Sequence, residues 1–350
     1  MRKRTTVVMI ALVCIVGAIA LFAALHPWDK GDDRRVDAES LDVRLAVFQL
    51  YVSALVVAAD ESEKIAPGTD CFADAGVKPV IIKRSKGPEI VDALVGGSAD
   101  FGTLALTPQV LQALQGSDFV IFATIQTTDH DISVVGRRSA GVTSGASLKG
   151  KRVGFVGGTY GEIFLNRYLE KHGLDRSAIS LTSAGPAQLR DLFLGKSLDA
   201  IIIWEPIVQD ILADPAIEKD DVFLDVDRSI YTGRINLVAR PQVLKDKQDE
   251  ARRLVKAMLR GEKLIQEYPD KVRERLELWL DRKPGTLANA FDKDTFKVEL
   301  DVPGLLRDLK MEAEWAQEAI FHGKGKMPDD FSRYVDASIM QAVAPDRVKK

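Results

Sequence analysis

From residue 43 onward the chain alternates between short apolar runs and segments with helical spacing. Residues 43–47 (VRLAV) read as a strand, and 51–59 (YVSALVVAA) as a short apolar helix behind a polar turn. Residues 77–82 and 100–106 follow as strands, with helices over 89–95 and 109–115. The succession returns later: 151–156 as a strand, 162–171 and 187–194 as helices, and 200–204 as a strand. Strands alternating with helices predict parallel sheets covered on their faces, and so an α/β protein. After 235–240 (INLVAR) the pattern changes to long amphipathic helices over 248–268, 271–280 and 304–321. In the first of these, Leu254, Ala257, Met258 and Ile265 form a one-sided stripe that predicts packing on a core. Arg252, Arg253, Lys256 and Arg260 then make a solvated face.

Residues 87–108 (GPEIVDALVGGSADFGTLALTP) and 185–206 (GPAQLRDLFLGKSLDAIIIWEP) share one order: Gly-Pro, helix, Gly-x-Ser-x-Asp, apolar strand, proline. Each piece has a local cause, since proline suits a first helical turn, glycine ends a helix, and proline ends a strand it cannot join. Either this is common grammar, or two lobes of similar construction present equivalent strand ends to a shared cleft.

A length of 350 residues fits two compact lobes better than one core. The net charge of −3 gives no electrostatic footprint for nucleic acid. At the N-terminus, Arg2, Lys3 and Arg4 precede an uncharged run over 7–25, and polarity changes abruptly at 29–35. This is an export signal. It fits a cleaved signal peptide with its apolar stretch at 7–17 followed by Ala18 and Ala20, and equally a retained anchor of about 19 residues. Residues 29–42 read as a charged tether. Cys14 lies inside the apolar run behind Val13, a poor context for lipid attachment, and Cys71 stands alone in the body, so no internal disulfide is expected.

The sharpest candidate chemistry is residues 149–162 (KGKRVGFVGGTYGE), a strand running into a glycine-rich turn that opens a helix. Gly157, Gly158 and Gly161 let the backbone approach a ligand, the helix start favours an anion, and Thr159 and Tyr160 add hydroxyls. A plain strand-to-helix connector explains the same residues. Residues 145–151 (GASLKGK) have phosphate-loop spacing, but Arg152 replaces the required Ser or Thr, and no G-x-G-x-x-G follows. No G-x-S-x-G, H-E-x-x-H or paired C-x-x-C occurs, so the sequence offers no catalytic residue, metal site or cofactor. His26 sits by the membrane segment, and His172 and His322 each precede a glycine at a helix end. His130 lies in the polar run 126–131 (QTTDHD), which is either a crossover between lobes or cleft wall. Trp204 and Glu205 close a buried strand with an aromatic and a carboxylate that are costly to bury unpartnered, so a cleft suits them.

The run LKGKRVGFVGGTYGEIFLNRYLEKHGLD and the segment LRDLFLGKSLDAIIIWEP resemble the ABC transporter solute-binding proteins of the nitrate, sulfonate and taurine type, the NMT1/THI5-like family. GPEIVDALVGGSADFGTLALTP, EYPD at 267–270 and MEAEWAQEAIFHGK extend the resemblance over about residues 43–343. It implies a periplasmic-binding-protein-like fold, two α/β lobes with a hinge and a ligand cleft between them. Lobe 1 would comprise 43–130 and 236–350, and lobe 2 would comprise 131–235, behind a signal or anchor at 1–28 and the tether at 29–42, with crossovers near 127–135 and 233–238. It places ligand contacts at Gln49, Tyr51, Lys86, Thr103, Thr107, Gln126, Gly158, Thr159, Tyr160, Trp204 and Glu205.

The implied role is capture of a small anionic or zwitterionic solute and its delivery to ABC permease and ATPase subunits, by a monomer outside the cytoplasm, with no catalysis. Lys86 and the glycine-rich helix start favour an anion, whereas Glu205 favours an ammonium group, so an amine-bearing sulfonate satisfies both. Two alternatives stay open: a membrane-tethered sensor on the same fold, and an enzyme like the thiamine-pyrimidine synthases, whose cysteine-rich signature this chain lacks. The polar stretch 60–74 is longer than the turn the resemblance leads one to expect and would reshape the first-lobe cleft.

Overall fold

The computed structural model describes residues 42–291 and 295–350. The expected signal or anchor, and the tether apart from Asp42, lie outside the described residues. Among the described residues no helix is long and apolar enough to cross a membrane.

The first apolar run becomes β1 (Asp42–Phe48), followed by a 3-10 turn at Tyr51–Ser53 and helix α1 (Ala54–Asp60). Then come β2 (Lys78–Arg84), α2 (Gly87–Val95), β3 (Phe101–Ala105), α3 (Leu106–Leu114) and β4 (Val120–Thr128). The second succession is β5 (Ile132–Arg137), β6 (Arg152–Phe155), α4 (Tyr160–Lys171), β7 (Ser180–Ser183), α5 (Pro186–Leu194), β8 (Ala200–Trp204), α6 (Ile207–Leu212) and β9 (Val222–Asp225). The strand β10 (Gly233–Ala239) precedes the helical part, chiefly α7 (Gln248–Glu267), α8 (Pro269–Trp279) and α9 (Val302–Ala319).

The strands form two five-stranded sheets, ordered β2-β1-β3-β10-β4 and β7-β6-β8-β5-β9. In each sheet one strand runs against its neighbours: β10 is antiparallel to β3 and β4, and β5 is antiparallel to β8 and β9. Each sheet therefore receives its antiparallel strand directly after a crossover from the other. The two similar sequence segments occupy equivalent places, since α2 leads to the central β3 and α5 leads to the central β8. The likeness is thus one of topology as well as of local grammar.

Chain leaves the first sheet at Thr128 and joins the second at Ile132, so the outward crossover is residues 129–131. The return crossover is residues 226–232. Residues 233–238, which the resemblance suggested as a crossover, are already a strand of the first sheet, with Gly233 opposite Thr128.

Burial follows from the strand period. On β8, Ile201 and Ile203 join Leu189, Phe193 and Val208 on one face of the sheet, while Ala200 and Ile202 join Val134, Phe155 and Phe164 on the other. A strand covered on both faces reads as one continuous apolar run, as AIIIW does. The stripe of α7 behaves as expected, with Leu254, Ala257 and Met258 fully buried. Close approach of α7 to α1 depends on Gly261, where an added Cβ would lie 2.8 Å from the Leu55 carbonyl oxygen. The polar stretch 60–74 folds back onto this lobe through a short helix at Ser62–Ile65 and buries Cys71 and Phe72.

Candidate ligand cleft

The carboxyl ends of the parallel strands and the two crossovers converge where α/β proteins place their ligands. At this point Asp131, the last residue of the outward crossover, is 8% exposed. Its carboxylate accepts from two tyrosines, Tyr51 from the turn after β1 and Tyr160 at the first turn of α4. The Tyr160 hydroxyl lies 2.9 Å from Asp131 Oδ2. A side chain from each sheet's connections therefore meets on one crossover carboxylate, and the Asp131 carbonyl also accepts from the Glu205 backbone N–H at 3.0 Å.

Three aromatic rings stand beside it. Tyr160 stacks on Trp204 with centroids 5.1 Å apart, and on Tyr231 of the return crossover at 5.9 Å. The Tyr231 hydroxyl continues inward and donates to Glu312 Oε1 on α9 at 2.7 Å. Glu312 is fully buried. Burial pushes its carboxyl up to about 7, against the opposing pull of Tyr231 and Thr107, and burial together with the Glu312 charge pushes the Tyr231 hydroxyl well above its ordinary value. Around Asp131, Tyr160 and Tyr231 a cavity of about 10 Å³ remains, bounded also by Thr128, Asp129, Ile132, Phe164 and Gly233. That is room for about one water.

The other expected contacts fall as follows. Thr103 is buried in β3, and its Oγ1 accepts from the Phe48 N–H at 3.2 Å, tying β1 to β3. Thr107, in the first turn of α3, adjoins Tyr231 and Glu312. Gln126 is buried on β4. Gln49 is exposed just past β1, its N–H donating to the Arg84 carbonyl. Lys86 is exposed ahead of α2 and lies 3.8 Å from Glu89. Glu205 is 8% exposed and accepts from the Gln209 N–H at 3.3 Å and the Gln209 amide at 3.0 Å, capping α6.

In the glycine turn Gly158 takes a left-handed conformation, φ +71°. The N–H groups offered there to an anion are engaged from within: Gly157 donates to Ser183 Oγ, Gly158 to Glu162 Oε2 at 2.9 Å, and Gly161 to Thr159 Oγ1. The Thr159 hydroxyl donates in turn to the Val156 carbonyl. A carboxylate of the chain, itself paired with Arg176 at 3.0 Å, thus occupies the position that the sequence reading gave to a ligand anion.

Sequence reasoning did not single out Asp131, Tyr231 or Glu312. Asp131 sat unremarked within the polar run at 126–131. Glu312 carried a readable signal, a carboxylate on the same helical face as Leu305, Leu309 and Ala316.

Residues 65–272 match a family model described as NMT1/THI5 like. The chain belongs to the NMT1/THI5-like family. Among solved structures, this NMT1/THI5-like chain is similar to the periplasmic aliphatic sulphonate binding protein of Escherichia coli, with a TM-score of 0.72 and 18% identity over 87% of this chain and 99% of that one. The described fold is therefore that of a periplasmic binding protein, two α/β lobes joined at a hinge with a cleft between them. A Brucella abortus protein described as a binding protein is 31% identical over 124 residues, 35% of the NMT1/THI5-like chain and 37% of the relative, so the match spans little more than a third of that relative's length. A 4-amino-5-hydroxymethyl-2-methylpyrimidine phosphate synthase of Uromyces fabae is 23% identical over 303 residues, 81% of this chain and 84% of that one.

Proposed function

We propose that the chain is the exported solute-binding component of an ABC-type import system, closing its lobes over a small solute and presenting it to a membrane permease and its ATPase. The observation that carries this reading is the meeting of Tyr51 and Tyr160, one from each lobe, on the crossover carboxylate of Asp131. Such a junction forms when the lobes come together and breaks when they part, which is what a receptor read by a permease needs. Tyr51, Thr107, Gln126, Tyr160, Trp204 and Glu205 are the proposed cleft contacts, with Asp131 and Tyr231 added to them. Gln49 and Lys86, both exposed, are proposed only as outlying contacts, and Gly158 and Thr159, whose N–H and hydroxyl groups are engaged within the chain, would have to exchange those partners to meet a solute.

The proposed solute is small and anionic or zwitterionic, of the sulfonate, taurine or nitrate class, and the protein would work outside the cytoplasm as a monomer without catalysing a reaction. Attachment through residues 1–28 would make it a tethered receptor. The named activity of the Uromyces fabae relative supports a second reading, an enzyme acting on pyrimidines. A thermal-shift screen of the full chain against sulfonates, taurine, nitrate, bicarbonate and pyrimidine thiamine precursors separates the readings. A ligand at about 100 times its Kd stabilises the folded state by roughly 2.7 kcal/mol. A clear hit that leaves the solute chemically unchanged supports a receptor, a hit that is turned over supports the enzyme, and silence across the panel counts against the proposed solute classes.

A further inference from the structure

Helix α9 buries Leu305, Leu309, Ala313 and Ala316 against the first lobe, and Glu312 stands on that same face. One of its carboxylate oxygens accepts from Tyr231 at 2.7 Å, and Thr107 adjoins the carboxyl. A carboxylate taken this far out of water is costly, so its effect must be sought in what it holds. It holds Tyr231. That residue belongs to the return crossover, and its ring is the outer member of the stack Trp204, Tyr160, Tyr231.

We propose that Glu312 is a positioning residue for solute binding, fixing Tyr231 as the third ring of the cleft's aromatic stack and so coupling α9 of the first lobe to closure. This rests on the receptor reading given above. The groups that act on Glu312 among the described residues include Tyr231 on the crossover, Thr107 on α3, Asp308 on α9 itself and Arg167 on α4. Asp308 is engaged by Arg234 of β10 at 2.9 Å, and Arg167 donates to the Ile230 carbonyl at 3.0 Å. With burial holding the Glu312 carboxyl at about 7, the bond from Tyr231 changes from charge-assisted to neutral within the physiological range. Charge-assisted bonds are roughly twice as strong, so the grip on Tyr231 is firmer above that point than below it.

The test has two arms on the full chain. In the first, tyrosine labelled with 13C at Cζ is followed by NMR without solute, and Tyr231 is assigned by its loss in Tyr231→Phe. Its resonance is expected to titrate with a midpoint near 7 and to lose that titration in Glu312→Gln. No midpoint within about 1.5 pH units of that value, or the same midpoint in the Gln variant, overturns the inference whether or not a solute is known. In the second arm, the Kd of whichever solute the panel identifies is expected to rise several-fold from about pH 8 to about pH 6 in the wild type and to be flat in Glu312→Gln. An equal slope in both proteins overturns the positioning role. Should Glu312→Gln fail to fold, Tyr231→Phe replaces it and is expected to give the same flat profile. A panel without any binder counts against the receptor reading, and the first arm then decides this one alone.

Discussion

The ring of Tyr160 lies on the indole of Trp204, centroids 5.1 Å apart and planes inclined by 29°. Tyr160 opens α4 and Trp204 closes β8, so the pair joins a helix start to a neighbouring strand end within the second lobe. Both rings are half-buried, the state of aromatic surface that can still be covered by a bound molecule.

Replacing Trp204 or Tyr160 with Ala is expected to weaken solute binding by about tenfold or more, since an aromatic contact adds roughly 0.5–1.5 kcal/mol beyond the area it buries. Calorimetric titration with the solute from the screen measures this, and circular dichroism checks that the fold persists. Unchanged affinity in both variants would remove the cleft from this position.

Asp131→Asn leaves one acceptor oxygen where Tyr51 and Tyr160 now share two. Hydrogen bonds to charged groups contribute about 1.5–3 kcal/mol each, and a loss of about that size in urea unfolding is expected. A variant as stable as the wild type would show that the junction does not hold the lobes together.

Glu312 supplies a pH dependence whose sign is fixed by its upward shift. Its carboxyl goes from the ordinary 4.5 to about 7 on folding, so the folded state holds the proton more tightly than the unfolded one. The stabilisation is fully present below the unfolded value, falls as pH rises between the two, and is gone above the folded value. Relative to Glu312→Gln, the wild type is expected to lose about 3 kcal/mol over that interval, read from urea midpoints at a series of pH values. A constant difference between the two proteins would contradict it.

Gly261→Ala tests the packing of α7 on α1. The new methyl would meet the Leu55 carbonyl oxygen at 2.8 Å and the Ala59 nitrogen at 3.3 Å, both backbone atoms that cannot swing aside. Overpacking of this kind costs about 1–3 kcal/mol, of which better helix propensity returns up to about 1 kcal/mol, so a net loss in urea unfolding is expected. A gain would mean that the two helices separate without cost.

Much of the fold was legible because hydrophobic period reports local structure directly. AIIIW read as a strand and is one, and the stripe Leu254, Ala257, Met258, Ile265 read as a helix face packed on a core and is one. Trp204, Glu205 and Tyr160 stood out in the sequence because an aromatic or a carboxylate at a strand end, or a tyrosine at a glycine-rich helix start, needs a reason to be there, and the structure brings Tyr160 and Trp204 into contact. The glycine turn was legible as a turn and not in its partners, because whether an N–H meets a ligand or Glu162 depends on a rotamer that spacing does not encode.

The sequence by itself thus determined the α/β class, the strands and helices, and the likeness of two segments, since each depends on residues within a few turns of one another. Only the tertiary structure decided that 233–239 lies between β3 and β4, that Tyr51 and Tyr160 share Asp131, and that Glu312 on α9 holds Tyr231. The side-chain partners among these are 29 to 81 residues apart, and nothing in local pattern fixes which distant side chains two crossovers bring face to face.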